Sequence, residues 1–167
     1  MKEIKAEQLK QNVFEAIGKQ WTLVAASADG KTNAMTASWG GMGVMWNKNV
    51  VFLFIRPQRY TKTFVDKSST LSLSFFSEDY RDMLTYMGKV SGRDEDKIAK
   101  AGLTLSDGYG APVFKEAELT FVCKKLYSSV LSADGFYDKK IIPQCYSDKD
   151  YHEVYVAEIE KILVNND

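Results

Sequence analysis

Apolar and polar positions change period several times along the chain. Leu9, Val13 and Ile17 recur at four-residue spacing, which predicts a helix over 5–18 that ends near Gly18. WTLVAASA (21–28) reads as a strand. DGKT (29–32) reads as a turn, because Asp-Gly readily takes positive φ, and 33–39 would return as the hairpin partner. NVVFLFIR (49–56) is apolar and rich in β-branched and aromatic residues, so it predicts a core strand that Pro57 halts. A short helix follows at 59–67. TLSLSFF (70–76) alternates Leu71, Leu73 and Phe75 with Ser72 and Ser74, the pattern of a half-buried strand. Residues 78–89 put Met83, Tyr86 and Met87 on one helical face, and a third helix is expected at 93–101 after Gly92. Long strands are predicted at 116–130 and 151–164, the second carried by Val154, Val156, Ile159, Ile162 and Val164. Strands and helices do not alternate as in a doubly wound sheet. The expectation is a mainly β fold with inserted helices, an antiparallel barrel of at least six strands. No repeat, low-complexity tract or linker divides it, so residues 1–167 read as a single domain.

Composition narrows the function classes. There are 22 basic and 22 acidic residues, so no excess charge favours a nucleic-acid surface. No segment is long and apolar enough to span a bilayer as a helix. MKEIKAEQLKQ is charged and lacks the apolar core of a signal peptide, so a cytoplasmic location is expected. Reduced thiols at Cys123 and Cys145 suit that compartment. They form no CxxC pair and the chain has a single histidine, so no metal site is expected.

One stretch asks for more than packing. NAMTASWGGMG (33–43) carries no charge and is built mostly from small residues. Lack of bulk lets a ligand approach the backbone closely, and the free amides and hydroxyls then face it. A planar, weakly polar ligand needs such a wall. The alternative is a tight barrel corner, where Gly and Ala relieve crowding. RPQRYT (56–61) sets two arginines and two hydroxyls at the end of a buried strand, before a helix. Guanidinium forks and helix N-terminal amides both suit phosphate, although Thr61 could be a plain N-cap and Arg59 a plain surface charge. SGRDEDK (91–97) adds Ser91, Arg93 and Lys97. A flat ring with a phosphate tail fits that set. Neither GxGxxG nor GxxxxGK[ST] occurs at these clusters, so a Rossmann or P-loop site has no support.

NAMTASWGG, RPQRYT and SGRDEDK, in this order and spacing, resemble the flavin reductase-like family of FMN-binding split barrels, in particular its flavoredoxin-type branch. APVFKEAELTFVCKKL and HEVYVAEI resemble later parts of the same pattern, so the resemblance runs from about residue 10 to 164. It implies a six-stranded antiparallel split β-barrel that forms a homodimer, with FMN near the interface. It implies that Asn33, Ala34, Met35, Thr36, Ala37 and Ser38 line the isoalloxazine and ribityl chain, with Trp39 beside the ring or the partner subunit. Arg56, Arg59, Tyr60 and Thr61 would surround the phosphate, with Ser91, Arg93 and Lys97 as a second cluster at the same site. In this pattern His152 stands near the nicotinamide or flavin; read alone, it is a strand-end histidine at the surface or a subunit contact. Ala157 occupies a position that the family often fills with glycine. Cys123 reads as a small apolar strand residue, and Cys145 as the more exposed thiol. Tyr127, Phe136, Tyr137, Tyr146 and Tyr151 either cap the pocket or pack the interface.

The expected activity is that of an NAD(P)H-dependent flavin reductase, with NAD(P)H as a transient electron donor. The alternative is an FMN-bearing electron carrier reduced by a partner protein. A split barrel for haem or another ligand is a weaker reading, because the phosphate clusters count against it.

Overall fold

The computed structural model describes residues 1–165. Its strands, in chain order, are β1 (Lys2–Ile4), β2 (Thr22–Ala28), β3 (Lys31–Ala37), β4 (Gly40–Met45), β5 (Lys48–Ile55), β6 (Thr70–Phe75), β7 (Leu105–Ser106), β8 (Val113–Phe114), β9 (Leu119–Val130) and β10 (Glu153–Val164). The α-helices are α1 (Val13–Glu15), α2 (Tyr60–Lys67), α3 (Arg81–Lys89), α4 (Lys97–Lys100) and α5 (Ile141–Cys145).

All pairings are antiparallel. The main sheet runs β3-β2-β6-β9-β10-β5-β4, with β1 added on β10. The fold class is the one expected; short β1 and glycine-rich β4 extend the sheet beyond the expected six strands. β3 and β4 close the two ends of this order, yet only Ser38 and Trp39 separate them in sequence. The sheet therefore curls round a core and leaves its opening beside the NAMTASWGG stretch. That core holds Val24, Met35, Leu53, Ile55, Leu71, Leu73, Phe121 and Tyr155. A second apolar layer, with Leu23, Ala34, Leu84, Met87, Ile98 and Phe114, lies on the other face of β2 and β3.

Several expected elements differ. The N-terminal helix is broken: a 3-10 turn at Ala6–Gln8, α1, and a π turn at Ala16–Gln20. Asn12 explains the break, since its side chain accepts from Phe14 N and starts a new helix there. The third helix shrinks to α4, because Asp96 caps it at Ala99 N. β4 was not legible. Its turn uses Trp46 (φ 53°) and Asn47 (φ 56°), left-handed positions that Asn tolerates and Trp rarely takes, so no Asn-Gly signal marks it.

Gly40 begins β4 at the barrel opening. A β-carbon there would lie 2.7 Å from the Phe52 carbonyl oxygen of the paired strand. Backbone cannot yield as a side chain can. Gly40→Ala should therefore lower stability by about 1–3 kcal/mol, the usual cost of overpacking, measured by urea unfolding.

Candidate functional site

Two cavities meet at the opening. The first, of about 230 Å³, is lined by Met35, Thr36, Ala37, Ser38, Trp39, Phe54, Arg56, Arg59 and His152. The second, of about 300 Å³, is lined by Met35, Arg56, Gln58, Arg59, Tyr60, Thr61, Lys89, Val90, Ser91, Gly92 and Lys97. They share Met35, Arg56 and Arg59.

The end of β3, from Met35 to Ala37, forms the uncharged wall with Ser38 and Trp39. Met35 and Ala37 turn toward the barrel core, while Thr36 turns outward and donates its hydroxyl to the Leu84 carbonyl. Asn33 is buried and donates from Nδ2 to Thr61 Oγ1 at 2.9 Å. Accepting that bond leaves the Thr61 hydroxyl hydrogen free for the second cavity. Gly92 packs against Asn33 so closely that a β-carbon would come within 2.2 Å of Asn33 Oδ1. The glycine of SGRDEDK is thus a close-approach residue. Ala34 lies on the opposite face, in the second apolar layer, and lines neither cavity.

The second cavity has four cationic side chains in its lining, Arg56, Arg59, Lys89 and Lys97, and no acidic one. They are not equivalent. Arg56 is already engaged: it pairs with Asp150, and Nη2 donates to the Cys145 carbonyl at 2.8 Å. Gln58 Nε2 also donates to Asp150, at 2.8 Å. Arg59 donates from Nη1 to the Gly88 carbonyl at 2.6 Å and, among the described residues, has no carboxylate partner. Burial, then the nearby Arg56, lowers its pKa from the ordinary range. Lys97 is only 4% exposed and donates to the Met87 and Val90 carbonyls at 2.9 and 3.0 Å. Burial, with a smaller contribution from Arg59, brings its pKa down to about 8. No side chain caps α2, so the first amides of that helix remain available near Arg59, Tyr60 and Thr61.

Arg93 departs from the expected cluster. Its guanidinium stacks on the Tyr60 ring, 4.7 Å from the centroid, and lines neither of the two cavities. Ser91 turns its hydroxyl to Arg93 N at 3.2 Å while still lining the second cavity.

His152 is no surface histidine: it is 7% exposed. Its ring lies 5.0 Å from that of Trp39, and Nδ1 is 2.8 Å from the Tyr146 hydroxyl. Burial, and next the Arg56 charge, lower its pKa to about 4, so the ring is neutral at pH 7. Trp39, by contrast, is 47% exposed at the mouth. The aromatic set divides. Phe136, Tyr146 and Tyr151 pack together against Arg56 and His152. Tyr127 instead faces Trp46, and Tyr137 is fully exposed. Cys123 is buried and burial pushes its thiol pKa up, whereas Cys145 is half-buried.

Sequence reading missed Phe54, Gln58, Lys89 and Asp150. Asp150 lies 94 residues from Arg56, and no local pattern announces such a pairing. Among the described residues there is no cluster of three or more His, Cys, Asp or Glu that could hold a metal ion, and no helix long and apolar enough to cross a membrane.

Three comparisons bear on this geometry. The family model described as "Flavin reductase like domain" matches residues 14–167. No curated protein sequence is significantly similar to the chain. Solved structures share the fold. A flavoredoxin from Methanosarcina acetivorans superposes with a TM-score of 0.71 at 21% identity, over 96% of this chain and 77% of its own. An FMN-binding protein from Thermus thermophilus, with bound p-hydroxybenzaldehyde, gives 0.70 at 19% identity, over 99% and 83%. The flavin reductase PheA2 gives 0.64 at 16% identity, over 88% and 80%.

Proposed function

We propose that this chain, which belongs to the flavin reductase like domain family, binds FMN and acts as an NAD(P)H-dependent flavin reductase. The observation that carries the reading is the pair of joined cavities, one walled by the uncharged stretch 35–39 and the other lined by cations. The residues fit the group. Met35, Ala37 and Ser38 offer a wall without charge or branching for a flat ring. Arg59, Lys97, the Thr61 hydroxyl and the uncapped start of α2 offer donors for a phosphate. Bound there, FMN supplies hydride acceptance and electron transfer, while the protein supplies binding, orientation and access.

The remaining work belongs to the chain. Trp39 and His152 flank the mouth and set the width left for a nicotinamide. His152, neutral at pH 7, serves as a wall and hydrogen-bond partner of Tyr146, and carries no positive charge into the ring cavity. The Arg56–Asp150 pair holds the 131–151 segment against that mouth. The apolar residues Val44, Met45 and Trp46 stand exposed on β4 and its turn, which supports a homodimer through that end of the barrel. A soluble cytoplasmic protein remains the working location.

Lys97 gives the reading a pH signature. Its pKa of about 8 lies below the unfolded value, so the neutral form gains ground in the free protein as pH rises through 8. A phosphate favours the charged form. FMN affinity is therefore expected to be flat from pH 6.5 to 7.5 and to weaken above about 8, measured by fluorescence titration. Lys97→Arg, charged throughout, should remove that dependence.

The deciding experiment is anaerobic addition of NADH or NADPH to the FMN-loaded protein. Bleaching of the flavin absorbance within seconds supports the reductase. Absorbance that survives NAD(P)H but bleaches with dithionite favours an electron carrier reduced by a partner protein.

A further inference from the structure

One donor in the ring cavity is set by a residue outside it. His152 lines that cavity, whereas Tyr146, packed against the histidine, does not. Tyr146 is 4% exposed, and its hydroxyl lies 2.8 Å from His152 Nδ1. A neutral imidazole carries its hydrogen on one nitrogen only. Were it on Nδ1, that N–H would donate to the Tyr146 oxygen and the buried phenol hydrogen would have no acceptor, because among the described residues this hydroxyl makes no other hydrogen bond. An orphaned buried donor is costly. The phenol therefore donates to Nδ1, and the ring hydrogen sits on Nε2. Among the described residues Nε2 has no partner, yet the side-chain polar atoms sealed from solvent without one are Ser72 Oγ and Arg81 Nη1. Nε2–H is thus not sealed, and it opens into the cavity that His152 lines.

We propose that Tyr146 is a positioning residue: its hydroxyl fixes His152 as the Nε2–H tautomer and so aims one uncharged donor at a carbonyl or carboxamide oxygen of a flat molecule entering the ring cavity. The ligand half of this rests on the reductase reading above; the tautomer half does not. Tyr146 can do this because its own place is fixed. Its amide donates to the Ile142 carbonyl at 2.7 Å, and Leu131 N donates to the His152 carbonyl at 2.9 Å, which closes the base of the 131–151 segment. The rings of Phe136 and Tyr151 pack on it at 5.7 and 5.1 Å between centroids. Arg56 stands 5.4 Å from the ring centroid and donates to the carbonyl of the preceding Cys145. An imidazolium could not accept from Tyr146; burial, and next the Arg56 charge, keep His152 neutral at pH 7. The half-exposed Trp39 ring beside the histidine gives a flat ligand an apolar surface next to that donor.

The test begins with nitrogen NMR of the isotope-labelled, flavin-stripped full chain at pH 7. The chain has a single histidine, so the two ring nitrogens report without overlap. The expected spectrum has the proton on Nε2 and a hydrogen-bonded acceptor at Nδ1, with Nδ1 moving to the free-acceptor position in Tyr146→Phe. A proton on Nδ1 in the wild type would overturn the inference, as would an Nδ1 signal indifferent to loss of the hydroxyl. The wild-type spectrum needs no variant and stays decisive if Tyr146→Phe fails to fold. The second arm is NADH oxidation by the FMN-loaded chain, since the nicotinamide carries a carboxamide oxygen. Tyr146→Phe should raise the KM for NADH about threefold to tenfold with kcat within about twofold. Tyr146→Phe combined with His152→Ala should match His152→Ala alone, because Tyr146 acts through the histidine. Additive losses would show that Tyr146 acts by packing, and an unchanged KM that Nε2–H holds no ligand oxygen; either overturns the proposal. Absence of NADH oxidation would sink the reductase reading and the ligand half with it, while the flavin-free spectrum still decides the tautomer.

Discussion

Arg59→Ala is expected to weaken FMN binding by about 10- to 150-fold, the effect of losing one charge-assisted hydrogen bond worth roughly 1.5–3 kcal/mol. Of the two arginines of the phosphate cavity, Arg59 is the one with no carboxylate partner among the described residues; it donates to the Gly88 carbonyl. Its charge is therefore available to an anion. Arg56 is the control. Asp150 already neutralises it and the Cys145 carbonyl takes a further hydrogen, so Arg56→Ala should cost FMN affinity much less. That substitution should instead lower the melting temperature, because it strands Asp150 and releases the 131–151 segment. Arg59→Lys keeps the charge but loses the two-point fork, and its affinity should fall between wild type and Ala. Fluorescence titration, with melting temperatures run alongside, separates the two arginines. Equal losses of FMN affinity at both would contradict the assignment.

Ala37→Leu should abolish flavin binding while leaving the barrel folded. Ala37 lines the ring cavity and sits near the end of β3, beside the barrel opening. That cavity measures about 230 Å³, so it has little spare volume for a branched side chain beside a three-ring system. The fold itself can absorb the change at an overpacking cost of about 1–3 kcal/mol, since the opening gives the new side chain somewhere to go. A colourless but cooperatively folding variant is the expected outcome, read by visible absorption and urea unfolding. A variant that remains yellow would return NAMTASWGG to the role of a barrel corner.

Residue type and strand period made much of this legible. Alternation in TLSLSFF and the apolar run VVFLFI located β6 and β5, but β6 is not the half-buried strand expected: Ser72 and Ser74 are as buried as Leu71 and Leu73, because β6 lies between the two apolar layers. The uncharged NAMTASWGGMG stretch could be read as a wall because its composition departs from that of a solvated strand. What stayed hidden were choices made by distant partners. RPQRYT offers two arginines that look alike in sequence, and only Asp150, 94 residues away, distinguishes them. SGRDEDK looks like one donor cluster, yet Lys97 turns inward to the Met87 and Val90 carbonyls while Arg93 turns outward onto Tyr60. His152 could be read two ways until its burial against Trp39 and Tyr146 was seen. β4 escaped because glycines carry no alternation and its turn uses Trp46 where Gly or Asn is usual.

The central claim is that the two joined cavities hold one flavin per chain. Titration of the flavin-stripped protein with FMN, followed by the quenching of FMN fluorescence, tests it most directly. The account expects saturation at one FMN per chain in the wild type and a curve displaced to higher FMN in Arg59→Ala. FMN fluorescence that stays unchanged in the presence of folded wild-type protein would contradict it.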